Sequence, residues 1–383
     1  MSSCCNLKPS TVLVTVLLIL AWITYFASKN QQEPDTPTHI IEKYSLHRHD
    51  EVFREESPDI FRSLPEAYLP DYKSFCWDDP ASGRFNCLPG LYLAGMPKCG
   101  STDLFTKLVW HQELRRPLVG DFNGKSSHWW TRKRVGRFGE FGVDSGEPAS
   151  FNAYIDMLAP QGAMRGQHES VLVDGSQSPM WDLDGWEDRY PGLQTPPYTN
   201  ADLIHAVAPK SKVLVILRNP TERLFSDFMF FNEQISPTEF GPMVEAEISR
   251  FERCVNEKGV SFCCYSSGNS NIIRLRNGMY ITYLRAWWKK FEGRMKVVRL
   301  EEYSKDTVTV LMKIYQFVEV APPDNQELET FVANSTIQNS RSEDSKKKWN
   351  MPLEVAERIN KFYEPYNMEL EQFFREHPDI ILS

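Results

Sequence analysis

A parallel α/β sheet flanked by helices, taking its ligand at the carboxyl ends of the strands, is the fold class this sequence predicts. Four short runs, residues 91–94, 171–173, 213–217 and 296–300, are Leu-rich or β-branched and bounded by polar residues, as strands buried on both faces are. Helical spacing stands after them at residues 222–231, 278–291, 307–318 and 353–362. Strand, helix, strand in succession points to a parallel sheet.

The most informative stretch is L-Y-L-A-G-M-P-K-C-G-S-T-D-L-F-T-K-L-V, residues 91–109. It begins as a buried strand and ends with Leu104, Phe105, Leu108 and Val109 at helical spacing. The loop between carries Gly95, Pro97, Lys98, Cys99 and Gly100, and Ser101, Thr102 and Asp103 favour a helix start. A helix N-terminus with free N–H groups, a flexible Gly, two hydroxyls and a Lys is an anion cradle suited to phosphate or sulfate. The nucleoside-triphosphate loop places its Lys after the second Gly, whereas Lys98 precedes Gly100 and no Lys follows. A kinase-like triphosphate enzyme is disfavoured on that ground.

With 383 residues the chain can bury a full-size core. Its net charge of −8 argues against general nucleic-acid binding, so a polyanion must be met by local basic patches. Residues 11–27, T-V-L-V-T-V-L-L-I-L-A-W-I-T-Y-F-A, are uncharged and long enough for a short bilayer span, with Trp22, Tyr25 and Phe26 suited to its interfacial end. No small-x-small site follows closely, which favours an uncleaved anchor over a cleaved signal peptide. The expected order is a cytosolic tail (1–10), a transmembrane signal anchor (11–27), a polar stem (28–75) and a lumenal domain (76–383). Cys4 and Cys5 then lie on the cytosolic side, while Cys76 with Cys87, and Cys254 with Cys263 or Cys264, are local disulfide candidates in an oxidising compartment. Asn334-Ser335-Thr336 is a glycosylation sequon.

A second stretch, K-V-L-V-I-L-R-N-P-T-E-R-L-F-S-D-F at 212–228, ends a strand at Arg218 and starts a helix presenting Arg223 and Ser226. Arg218 is a permanently charged forked donor, and Ser226 adds a hydroxyl about two turns into the helix. Alone, an Arg capping a strand and an exposed Ser account for it. Paired with the first loop, it resembles the double signature of sulfotransferases: a 5′-phosphosulfate loop, and R-(N/D)-P with a Ser eight residues after the Arg for the donor's 3′-phosphate. P-K-C-G-S-T-D-L (97–104), H-W-W-T-R-K-R (128–134), R-N-G-M-Y (276–280) and F-Y-E-P-Y-N (362–367) resemble the Golgi type II carbohydrate sulfotransferases, from about residue 76 onward.

That resemblance implies a sulfotransferase fold, with a P-loop-like sheet, and 3′-phosphoadenosine 5′-phosphosulfate as donor. Lys98 would stabilise the leaving phosphate, aided by Cys99, Gly100, Ser101, Thr102 and Asp103 at the loop, with Arg218 and Ser226 on the 3′-phosphate. The scheme requires no metal. It implies a Golgi location, a membrane partner through the anchor, and a glycosaminoglycan acceptor such as the 6-hydroxyl of 4-sulfated N-acetylgalactosamine in chondroitin or dermatan sulfate.

Related enzymes place the base in a K-E-x-H pattern, and this chain has Lys125-Ser126-Ser127-His128. Ser126 cannot accept a proton near neutral pH. His128 is the foremost replacement, a carboxylate such as Glu140 or Asp174 the second, and a non-enzymatic glycan-binding protein the third reading. Arg132, Lys133 and Arg134 follow His128 directly and suit an anionic glycan; Lys346 and Lys347, beside Arg341 and Lys348, lie where the family has a closing loop. Trp129, Trp130 and Trp349 suit either sugar stacking or the core.

Overall fold

Five residues with buried side positions, Leu91–Gly95, form the strand at the middle of a five-stranded sheet. The computed structural model describes residues 49–120, 124–138, 144–183, 185–266, 272–336 and 350–382. Its strands are β1 (Phe75–Asp79), β2 (Arg84–Leu88), β3 (Leu91–Gly95), β4 (Leu114–Arg115), β5 (Arg137–Phe138), β6 (Asp144–Ser145), β7 (Val171–Asp174), β8 (Lys212–Leu217) and β9 (Met295–Arg299). The helices that matter below are α1 (His49–Glu56), α2 (Pro58–Arg62), α3 (Ser101–Leu108), α4 (Phe151–Leu158), α5 (Asn200–Val207), α6 (Pro220–Phe231), α7 (Phe240–Lys258), α8 (Val260–Tyr265), α9 (Tyr280–Phe291), α10 (Leu300–Tyr303), α11 (Thr307–Val318), α12 (Asn325–Asn334) and α13 (Leu353–Glu376).

The central sheet runs β4-β7-β3-β8-β9 with every pairing parallel. The four apolar runs expected to be strands are four of its five strands, β8 and β9 each starting one residue early; β4 was not expected. Helices cover it on both sides of the chain path, as an all-parallel sheet requires. The carboxyl ends of β3, β7 and β8 therefore open into neighbouring loops, where the anion loop, the 174–178 segment and Arg218 sit. A disulfide joins Cys76 to Cys87, which face each other across the β1–β2 ladder. A second joins Cys254 on α7 to Cys263 on α8, and leaves Cys264 a buried thiol.

Two expectations change. The packed body begins well before residue 76: α1 and α2 bury Val52, Phe53 and Ile60, and the Glu56 carboxylate accepts hydrogen bonds from the Tyr190 and Tyr198 hydroxyls. Three apolar anchors among charged residues gave the segment a linker's composition, but Tyr198, which packs on Phe53, and Tyr190, which bonds Glu56, lie over a hundred residues away. The last helix also passes Pro365 and runs to Glu376 rather than ending near Phe362. Proline deletes one helical hydrogen bond, and burial of Ile359, Phe362 and Tyr363 before it and Leu370, Phe373 and Phe374 after it holds both halves in place. Among the described residues no helix is long and apolar enough to cross a membrane; residues 11–27, with Cys4 and Cys5, lie outside them.

Behind the β8 loop, α6 is locked by a buried charge cluster. Asp227 accepts from Arg274 Nε at 2.8 Å and Nη2 at 3.2 Å, and Arg223 Nη1 lies 3.6 Å from it. Arg223 in turn donates to the Arg274 carbonyl at 2.7 Å. Asp227→Ala leaves two buried guanidinium groups without their carboxylate, and is expected to cost about 3–5 kcal/mol in urea unfolding. A loss under about 1 kcal/mol would show that the cluster does not hold α6.

Candidate active site

The loop after β3 is built around residues that few side chains allow. Lys98 adopts φ 63° and Gly100 φ 83°. At Gly100 a Cβ would stand 2.7 Å from Leu300 Cδ1, so the tight approach of α10 also requires glycine. The first helical bond of α3 runs from Leu104 N–H to the Gly100 carbonyl at 3.1 Å. The Ser101, Thr102 and Asp103 N–H groups therefore have no intrahelical acceptor and offer an anion site.

The side chains of this loop divide in role. Lys98 is half-buried, with its Nζ 3.3 Å from the centroid of the Phe230 ring on the last turn of α6. Cys99 is buried, 3.6 Å from the Tyr280 hydroxyl, and burial pushes its thiol up to about 11, so it offers backbone rather than a nucleophile. Asp103 faces inward: it accepts from Lys107 Nζ at 2.5 Å and the Tyr303 hydroxyl at 2.8 Å, anchoring α3. Thr102 is half-buried at the helix start.

The two stretches expected to bind anions are neighbours. Met96 N–H donates to the Ile216 carbonyl at 3.0 Å, and the Tyr280 hydroxyl donates to the Arg218 carbonyl at 2.9 Å while touching Cys99. Arg218 is half-buried and reaches Glu222 at 3.4 Å across the first turn of α6. Asn219 caps that helix by accepting from the Thr221 and Glu222 N–H groups, and Ser226 is half-buried on it. Asn219 N–H also donates to Glu301 Oε1 at 2.8 Å, fixing the turn against α10.

The segment 125–132 lies between α3 and the loop after β7. Lys125, 1% exposed, donates from Nζ to Ser101 Oγ at 3.1 Å and to Gln177 Oε1 at 2.9 Å. Burial pushes its amine down to about 7, with Lys98 adding to the effect and Asp174 opposing it. Ser126, at the expected base position, is fully buried and turns its hydroxyl to the Gly175 carbonyl and Gln177 at 3.4 Å. Asp174 does not act as a free carboxylate: it accepts from Ser127, Tyr154 and both the N–H and hydroxyl of Ser176. Glu140 lies outside the described residues.

His128 holds φ 49°, so Lys98 and His128 are two of the three non-glycine residues with positive φ among those described. Such backbones cost energy and persist where the surroundings impose them. Its N–H donates to Ser176 Oγ at 3.0 Å and its Nδ1 lies 2.8 Å from Ser178 Oγ, which lies 2.8 Å from Thr131 Oγ1. Burial, then the charges of Arg132, Lys125 and Lys133, push the imidazole down to about 3. The ring is neutral through the physiological range.

The basic residues expected to meet the acceptor separate. Arg132 is buried and pairs with Asp182 at 3.1 Å, and Arg134 donates to Ser57 Oγ at 3.2 Å and to the Trp130 carbonyl, tying α2 to the body. Both are internal braces in this structure. Lys133 is half-buried beside Met157. Trp129 and Trp130 are core residues, donating to the Ala149 carbonyl and the Tyr154 hydroxyl. Arg341, Lys346, Lys347, Lys348 and Trp349 lie outside the described residues. Sequence reasoning missed Lys125, Gln177, Ser178 and Tyr280; the polar run directly after the buried β7 was the signal for two of them.

Residues 197–375 match the sulfotransferase-domain family model. The chain is 26% identical over 382 residues to human carbohydrate sulfotransferase 15, covering 84% of this chain and 67% of that protein. It is 27% identical over 373 residues to the Rattus norvegicus protein of that name, covering 82% and 65%. It thus spans about two thirds of the length of these curated relatives. Among solved structures it is similar to a sulfotransferase from Alicyclobacillus acidocaldarius, at 19% identity and TM-score 0.48, over 75% of this chain and 96% of that one.

His128 binds a proton more readily unfolded, near its ordinary pKa of 6.5, than folded. Its contribution is therefore complete above pH 6.5 and lost as pH falls toward the folded value, by up to about 1.4 kcal/mol per pH unit. Urea midpoints between pH 6.5 and 4.5 should fall less steeply in His128→Gln, and ¹⁵N NMR should find the ring neutral at pH 5. A ring protonated at pH 6 would contradict the burial argument.

Proposed function

We propose that this chain, which carries a sulfotransferase domain, moves a sulfuryl group from 3′-phosphoadenosine 5′-phosphosulfate to a carbohydrate hydroxyl. The observation that carries the reading is the main-chain junction of the two anion-binding stretches, Met96 to Ile216, with Tyr280 bridging Cys99 and Arg218. A nucleotide with phosphate at both its 3′ and 5′ positions calls for two such sites. When bound, the donor supplies an activated sulfuryl group on a phosphate leaving group.

The residues act by position and charge, as in phosphoryl transfer. The Ser101 and Thr102 N–H groups and Lys98 hold the 5′ side, and Lys98 neutralises charge gathering on the leaving phosphate. Lys98 leaves the Phe230 ring to do so. Arg218 and Ser226 hold the 3′-phosphate. His128 receives the acceptor's proton: with Nδ1–H donated along Ser178 to Thr131, its Nε2 is left bare as an acceptor. Burial first, and then the neighbouring positive charges, depress its basicity in the empty site; the anionic donor offsets the charges.

The acceptor in this reading is an anionic glycosaminoglycan, with the 6-hydroxyl of 4-sulfated N-acetylgalactosamine the first to test and Lys133, Lys346 and Lys347 the basic residues to meet it. The setting is the Golgi lumen, behind an anchor at residues 11–27. The two disulfides and the exposed Asn334 sequon support an oxidising, glycosylating compartment.

Incubation with ³⁵S-labelled donor and chondroitin, dermatan, heparan or keratan chains, followed by disaccharide analysis, tests it. Labelled sulfate should enter a chondroitin-type disaccharide, with no phosphate transferred from ATP. Lys98→Ala should lower kcat by about 10²–10³-fold, and Arg218→Ala should raise the donor KM by about tenfold or more. Donor binding with no transfer to any chain would reassign the protein as a glycan binder.

A further inference from the structure

We propose that Lys125 faces the donor's 5′ anion alongside Lys98, and that the donor enters together with a proton taken up at Lys125 Nζ. The inference rests on the donor reading above and adds to it a residue and a linkage.

The geometry begins with burial. Lys125 is 1% exposed, and an amine so placed ordinarily keeps its charge only against a bonded carboxylate. Here both hydrogen-bond acceptors are neutral: Ser101 Oγ at 3.1 Å and Gln177 Oε1 at 2.9 Å. Ser101 is the first residue of α3, so the amine sits beside the helix start to which the donor reading assigns the 5′ anion. The nearby carboxylate, Asp174, spends its oxygens on Ser127, Tyr154 and Ser176.

The surroundings make this placement specific. Gly175 N–H donates to the Lys125 carbonyl at 2.9 Å, and a Cβ on Gly175 would stand 2.8 Å from Lys125 Cγ. The glycine leaves room for the lysine stem. Charged and titratable groups facing Lys125 are Lys98 from the anion loop, Asp174 from β7 and His128 from its own segment; Asp103 on α3 is turned to Lys107 and Tyr303. Burial is the largest effect on the amine; Asp174 opposes it, and Lys98 adds to it by less than Asp174 opposes. With the amine pushed down to about 7, the empty site is partly deprotonated at neutral pH. An anion held at Ser101 supplies the missing countercharge and raises the amine again, so binding draws a proton from solvent above pH 7.

Isothermal titration of the native protein with 3′-phosphoadenosine 5′-phosphate, in two buffers of different ionisation enthalpy, reads this directly without turnover. Uptake should approach about one proton per nucleotide near pH 8 and shrink toward pH 6, with affinity falling up to about tenfold per pH unit above pH 7. Lys125→Met should bind about tenfold or more weakly at pH 7 and show only the nucleotide's own titration. Gly175→Ala, which pushes on the lysine stem, should weaken binding in the same direction. Nucleotide binding without proton uptake overturns this inference alone, as does uptake that survives in Lys125→Met. No nucleotide binding at any pH overturns the donor reading and this inference with it.

Discussion

The parallel pairing of β3 with β8 is the constraint on which the candidate site depends. Leu91, Tyr92 and Leu93 face Lys212, Val213 and Leu214 in register, and the ladder continues beyond the strand through Met96 N–H to the Ile216 carbonyl. A slip of one residue would displace the Lys98 loop from Arg218 by about 3.3 Å. That is larger than the tolerance of a bidentate phosphate contact. Burial on both faces is what prevents the slip, since every residue from Val213 to Leu217 is buried. A generic hydrophobic requirement thus sets a specific distance between two anion sites.

How far this was legible in the sequence follows from the range of each interaction. The β3 loop and the β8 end were readable because strand, Gly, Lys and helix start sit within twenty consecutive residues, and their chemistry is local. The strands were readable for the same reason. The stem was misread because α1 is held by Tyr190 and Tyr198, through Glu56 and the Phe53 ring, which composition in a short window cannot register. Pro365 misled in the opposite sense: its local cost was visible, whereas the six buried side chains that outweigh it depend on the rest of the body. Arg132 and Arg134 looked like a ligand patch because a basic run says nothing of Asp182 or Ser57.

Asp174 shows why the acceptor side was the least legible part. A carboxylate at the carboxyl end of a buried strand is equally suited to being a base or a hub. Its four hydrogen bonds make it a hub, and they come from residues two to 47 positions away. Through Ser127 and Ser176 it fixes the backbone on either side of His128; through Tyr154 it reaches the Trp130 indole. Its oxygens are occupied by donors from the protein itself. The segment following Lys125 is therefore positioned by Asp174 rather than assisted chemically by it.

Electrostatics then explains why the same segment is costly when empty. The chain carries net charge −8, yet Arg132, Lys125 and Lys133 act on His128 and Lys98 acts on Lys125. Burial is the largest effect on both Lys125 and His128, and both shift toward their neutral forms. A surface patch of like charge would relax into solvent and lose its geometry. Here the parallel sheet, the Asp174 hub and the left-handed turns at Lys98 and His128 prevent that relaxation. What remains is a segment of buried basic groups held in place, a cost that an anion would relieve under the proposed function. Such preorganisation places part of the cost in folding rather than in binding, while the proposed donor contact still requires Lys98 to leave the Phe230 ring.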